Sequence, residues 1–174
     1  SSAEEVERVL RRVEEEDRRL VAEVRRVLKE SRRTLEELVR RVKEVLEEVR
    51  KEVERIEVSE EVLREIEELL ERLDRELDEV LKESEDTLRA IEKKLEEVHR
   101  RTKKLLDELR EVLERGKDAK ELIKRVEEIV EESRKLIDEA IREVEENVDR
   151  SRKKIKELID RVREILKRAR DRAR

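Results

Sequence analysis

The feature that most constrains the fold is the spacing of apolar residues, which recur every three or four positions along nearly the whole chain. This spacing places apolar side chains on one face of an α-helix, whereas a half-buried strand alternates every second position. From Val6 to Ile56 the series advances by about 3.57 residues per step, between a left-handed coiled coil and a straight helix. The pattern therefore predicts long amphipathic helices with little supercoil.

Composition narrows the classes of protein to consider. Charged residues make up 58% of the chain and aromatic residues are absent, which is typical of disorder unless the apolar residues are periodic, as they are here. The 48 basic and 53 acidic residues are interleaved and predict a mixed, soluble surface. The absence of cysteine excludes disulfides, and we expect no signal peptide and no membrane span. The compartment stays unassigned, although soluble expression in a cytoplasm is expected.

Two breaks interrupt the helical pattern. In "ERGKDAKEL" (114–122), Gly116 can adopt the left-handed conformation that closes a helix, and Asp118 is a candidate N-cap. In "RIEVSEEVL" (55–63), Ser59 is the candidate N-cap, and Ser2 plays the same part at the start of the chain.

These breaks predict helices at about 3–56, 60–115 and 119–172. About three apolar positions per heptad favour a bundle over a dimeric zipper. Two short connections then require an up-down-up order. We predict an all-α, antiparallel up-down-up three-helix bundle with the packing of a coiled coil, forming one domain over residues 1–174.

Ten polar residues interrupt the inward stripes. In antiparallel neighbours, residues at equal height should have residue numbers that add to about 115 for the first two helices and about 234 for the last two. This rule predicts two polar layers within the core. One layer contains Asp17, His99, Thr102 and Ser133, and the other contains Ser31, Thr34, Ser84, Thr87, Asn147 and Ser151. We interpret both as structural hydrogen-bond networks that specify helix register.

This set of features resembles computationally designed helical bundles with buried hydrogen-bond networks. The resemblance covers the whole chain and rests on equal helices, short turns, the caps at Ser2 and Asp118, and segments such as "EESRKLIDEA" (131–140) and "DRSRKKIKELIDRV" (149–162). It implies a synthetic scaffold. Spectrin-like repeats are similar in topology, but this chain lacks their aromatic core residues.

Asp17, His99 and Ser133 also match a catalytic triad by residue type. All three lie mid-helix, where the backbone N–H groups are already bonded and cannot form an oxyanion hole, so we expect no catalysis. One histidine and one aspartate are too few for a zinc site, and we expect neither metal nor cofactor. A pH switch at His99 is an alternative interpretation, and a single histidine beside a carboxylate should have only a modest effect.

The C-terminal stretch 149–174 holds twelve basic and five acidic residues. By the height rule it lies beside the acidic start of the second helix, so we expect no nucleic-acid binding. We likewise expect no membrane binding, because the apolar faces have partners within the bundle. The sequence therefore predicts a monomeric structural scaffold that requires no partner. The alternative is a designed module for binding, caging or self-assembly, either as a homo-oligomer or with a designed partner.

Overall fold

Three long helices form the protein. The computed structural model describes residues 2–173, with α1 at Ala3–Arg55, α2 at Glu60–Arg115 and α3 at Lys120–Arg172. The helices pack against each other as an all-α three-helix bundle, and the described residues contain no strand. The predicted bounds of α2 are confirmed, whereas α1 ends one residue earlier and α3 begins one residue later than predicted, within the usual fraying of helix ends.

Side-chain caps begin all three helices, as the sequence predicts. The Ser2 hydroxyl accepts a hydrogen bond from the Glu5 N–H at 3.2 Å, and the Ser59 hydroxyl accepts one from the Val62 N–H at 3.3 Å. Oδ1 of Asp118 accepts the Lys120 N–H at 3.2 Å. Each cap satisfies a backbone donor of the first turn, which has no partner within the helix.

The turn after α2 closes around the only glycine of the chain. Gly116 has a φ of 65°, in the left-handed region that glycine adopts without steric penalty. The Lys117 N–H bonds the Val112 carbonyl and the Gly116 N–H bonds the Leu113 carbonyl, both at 3.2 Å. This pair of bonds is the Schellman motif, which satisfies the last carbonyls of α2 and ends the helix there.

The helices contribute to two compact units, and the first contains residues up to 29 together with 88–144. Its core includes Val13, Leu109 and Val126, each at most 1% exposed. Arg12 pairs with Glu127 and, further along both helices, Glu16 pairs with Arg134, so α1 and α3 run parallel here. The intervening segment of α2 runs antiparallel to both.

The second unit contains residues 30–87 and those from 145 on. Leu46, Leu77 and Val162 lie in its core and are at most 1% exposed. Arg161 bridges from α3 to Glu76 of α2 at 2.6 Å, and similar bridges follow along the same edge. The apolar stripes thus form a core of leucine, valine, isoleucine and one alanine within this unit.

The outer surface is charged. Among the described residues no large hydrophobic side chain is exposed. None of the helices within residues 2–173 has a stretch long and apolar enough to cross a bilayer.

Candidate functional site

A histidine–aspartate pair connects α1 to α2 in the first unit. The Nδ1 atom of His99 lies 2.6 Å from Oδ2 of Asp17. The Asp17 side chain is only 16% exposed, whereas the imidazole is 43% exposed. The sequence predicts His99 inside the bundle, level with Asp17. The structure brings the two residues together but leaves His99 half-buried, because Val98 occupies the core position and the turn of about 100° per residue carries His99 to the flank.

The environment of Asp17 shifts its protonation. Burial raises the pKa of the Asp17 carboxyl above its ordinary value, because low-dielectric surroundings disfavour the charged form. The charge of His99 and its hydrogen bond act in the opposite direction and lower this pKa, but burial has the larger effect. The pair therefore contains a carboxyl that gives up its proton less readily than an exposed aspartate does.

The hydroxyl groups of Ser133 and Thr102, which the sequence predicts at the same height as this pair, donate hydrogen bonds to carbonyls of their own helices. Ser133 Oγ donates to the Ile129 carbonyl at 2.6 Å, and Thr102 Oγ1 donates to the Val98 carbonyl at 3.0 Å. Both residues are buried. Bonding to the carbonyl four residues earlier is the usual solution for serine and threonine in mid-helix. The Ser133 hydroxyl thus donates to its own helix and not to His99.

The site also includes a charged residue that sequence reasoning missed. Glu16 is 9% exposed, yet it was not among the predicted polar residues. Its carboxylate accepts a hydrogen bond from Nε of Arg134 on α3 and forms an ion pair with the same guanidinium group. Glu16 and Asp17 are neighbours on α1 and lie at nearly the same height. Glu16 contacts α3, whereas Asp17 contacts α2.

The second unit contains a buried amide–hydroxyl pair. Nδ2 of Asn147 donates to Oγ of Ser84 at 2.8 Å and lies 3.5 Å from the Ser84 backbone oxygen. Asn147 is 5% exposed and Ser84 is 2% exposed, so both partners of this contact are buried. The bond links α2 to α3 between two buried polar side chains.

The other predicted members of this layer vary in depth. Ser31 and Ser151 are buried, whereas Thr34 and Thr87 are half-buried. Each threonine hydroxyl donates to the carbonyl four residues earlier at 3.0 Å, on Glu30 or Glu83. A cleft of about 130 Å³ lies beside Asn147 and Ser151. Among the described residues, no buried side-chain nitrogen or oxygen lacks a hydrogen-bond partner.

Neither unit gathers the ligands of a metal site: residues 2–173 contain no group of three or more histidine, cysteine, aspartate or glutamate residues arranged to hold an ion. No protein-family model, curated protein or solved structure matches the chain.

The raised pKa of Asp17 predicts a specific pH dependence. The stabilising contribution of this carboxyl is fully present below its ordinary pKa of 3.8 and is lost as pH rises through the higher folded pKa. Relative to Asp17→Asn, which does not titrate, the parent should therefore lose stability as pH rises from about 3. Urea unfolding of both proteins over this range measures the difference.

Two further measurements make this prediction sharper. The His99→Gln variant lacks the imidazole charge that lowers the pKa of Asp17, so its carboxyl-carbon NMR titration should move to higher pH. Asp149→Asn, at an exposed position of α3, controls for the loss of one carboxyl from the net charge. If Asp149→Asn changed the pH dependence of stability as much as Asp17→Asn does, the assignment of the effect to Asp17 would be contradicted.

Proposed function

We propose that this chain is a designed structural scaffold without catalytic activity, in which inward polar pairs specify the register of the helices. The observation that carries the proposal is the bond from Asn147 to Ser84, a polar contact between two buried residues on different helices. An axial slip of either helix would leave both groups buried against apolar neighbours. Such a pair penalises wrong registers more than it stabilises the right one.

Several regular features support a designed origin. The helices have 53, 56 and 53 residues, each begins with a side-chain cap, and both turns are short. The core uses leucine, valine, isoleucine and alanine, without any aromatic residue or methionine. Capped helices of matched length with short turns and aliphatic cores follow the rules by which bundles are designed.

The geometry around His99 supports a structural role over catalysis. The imidazole bonds a carboxylate, as in a triad, but the hydroxyl of Ser133 donates to its own helix. A nucleophile needs its base within hydrogen-bond reach, and its transition state needs preorganised donors that a mid-helix backbone cannot supply. We therefore assign the Asp17–His99 contact to positioning α1 against α2.

Disulfide trapping tests the register proposal, since the chain has no cysteine of its own. Cysteines at Glu76 and Arg161, which form an ion pair, report the native register. Cysteines at Glu83 and Arg161 report a slip of seven residues, or about 10 Å, because the native partner of Glu83 is Lys154. A disulfide requires Cα atoms within about 7 Å, so the second pair closes only after a slip.

We expect the parent to trap the native pair and not the slipped pair. In the Ser84→Ala/Asn147→Leu background, the slipped disulfide should rise well above its parental level, measured by peptide mapping. An unchanged ratio of slipped to native disulfide would show that turns and apolar packing fix the register without the polar pair. Light scattering of the parent completes the test, and the scaffold proposal expects the monomer mass of 21.2 kDa.

A further inference from the structure

A groove of the first unit lies between α1 and α2, next to the Asp17–His99 pair. It has a volume of about 440 Å³, within the range of about 300–1,000 Å³ that is usual for small-molecule sites. Its lining positions on α1 run from residue 14 to residue 25, about 16 Å along the helix. The groove is therefore elongated and parallel to the helices.

The groove has an apolar floor. Val21, Ala22 and Leu106 line it. Ala22 is exposed and Val21 is half-buried, so part of this apolar surface is open to water. Covering it with a hydrocarbon group is favourable in proportion to the area removed from water.

Positive charge is in excess around this floor. Four cationic side chains line the groove against the carboxylates of Glu14 and Asp17. Arg110 pairs with Glu14 and His99 pairs with Asp17, so both carboxylates already have partners. The remaining cations are Arg18, Arg25 and Lys103, and none of them forms an ion pair with any residue in 2–173.

We propose that this groove is a binding site for a medium-chain carboxylate, an anion with an unbranched hydrocarbon tail. The carboxylate would lie among Arg18, Arg25 and Lys103, and the tail would cover Val21 and Ala22. The elongated shape fits an alkyl chain, and the surplus cations complement a single negative charge. Because the groove is open on one side, the expected dissociation constant is on the order of millimolar. This site lies outside the scaffold role and does not depend on it.

His99 provides a direct readout of binding. The chain has one histidine and no phenylalanine, tyrosine or tryptophan, so the ring protons of His99 give the only aromatic signals of the protein in a proton NMR spectrum. The imidazole lines the groove. Octanoate, which has no aromatic protons, can therefore be titrated at fixed pH while these signals are followed without interference.

We expect octanoate to shift the His99 signals along a saturating curve. Butyrate has the same charge and a short tail, octanol has the tail without the charge, and sodium chloride has neither a tail nor a carboxylate, so each should shift them less at equal concentration. A shift that is linear with octanoate, or that butyrate, octanol or chloride equals, would overturn the proposal.

Paired variants locate the site. Arg18→Gln/Lys103→Gln should weaken octanoate binding about fivefold, as expected for the loss of two exposed charge contacts. Arg152→Gln/Lys153→Gln removes one arginine and one lysine from exposed positions of α3 and should leave binding unchanged. Ala22→Glu, which adds a negative charge to the floor, should weaken binding independently. Equal affinity in the parent and in all three variants, each checked by circular dichroism, would contradict the assignment.

Discussion

Truncation of Leu77 to alanine should lower the free energy of unfolding by about 2–5 kcal/mol. Leu77 is 0% exposed and lies in the core of the second unit with Leu46, Leu73 and Val162. The loss has two parts, the transfer free energy of the missing methyl and methylene groups and the cavity that remains. The shift of the urea midpoint, followed by circular dichroism, measures the effect, provided that the slope of the transition is unchanged.

Leu81→Ala is the matched control for this experiment. Leu81 follows Leu77 by one helical turn on α2 and packs against the same cluster, but it is only partly buried. Both variants gain the same helix propensity, so the difference between them reports burial alone. We expect Leu81→Ala to lose less than half as much stability as Leu77→Ala. Equal losses would mean that the core is not packed tightly enough to distinguish the two positions.

The helices could be predicted from sequence because several independent features of the sequence agree with one another. Apolar spacing, caps and turn residues all indicate the same boundaries, and the bonds at Ser59 and around Gly116 lie where local sequence placed the breaks. The residues at the ends, such as Ile56 after α1, follow from details of the last turn that no periodicity determines.

The polar residues were harder to predict, because height along a helix can be read from sequence whereas depth cannot. Glu16 and Asp17 both fall between Val13 and Leu20, and either one continues the apolar stripe. The structure buries Glu16 against α3 and places Asp17 toward α2. Glutamate is rarely buried unless paired, and its partner Arg134 is recognisable only once the helices are docked.

The hydrogen-bond partners of the hydroxyl groups could not be predicted from the sequence either. The height rule places Ser133 level with His99, but the serine hydroxyl bonds the Ile129 carbonyl within its own helix. Serine and threonine can always bond backward in this way, so sharing a level does not imply a bond between helices. The amide of Asn147 is longer, and it reaches Ser84 on the neighbouring helix.

The Asn147–Ser84 pair should show strong energetic coupling. Ser84→Ala leaves a buried amide without its hydroxyl acceptor and should lower stability by about 1–3 kcal/mol. Asn147→Leu should cost less, because the remaining hydroxyl of Ser84 can turn to a carbonyl of its own helix. The double variant removes both polar groups from the core and should be as stable as the parent or more stable.

Urea unfolding of the four proteins gives the coupling free energy, which we expect to exceed about 1 kcal/mol. Thr102→Val is the control for a buried hydroxyl that bonds only its own helix, and its cost should lie below that of Ser84→Ala. Additive losses in the double variant would give zero coupling and would show that Ser84 and Asn147 contribute to stability independently of the bond between them. With the expected result, the Ser84→Ala/Asn147→Leu protein would be stable and yet more prone to trap the slipped disulfide. That combination would assign the stability of the bundle to its aliphatic core and the choice of register to one amide and one hydroxyl.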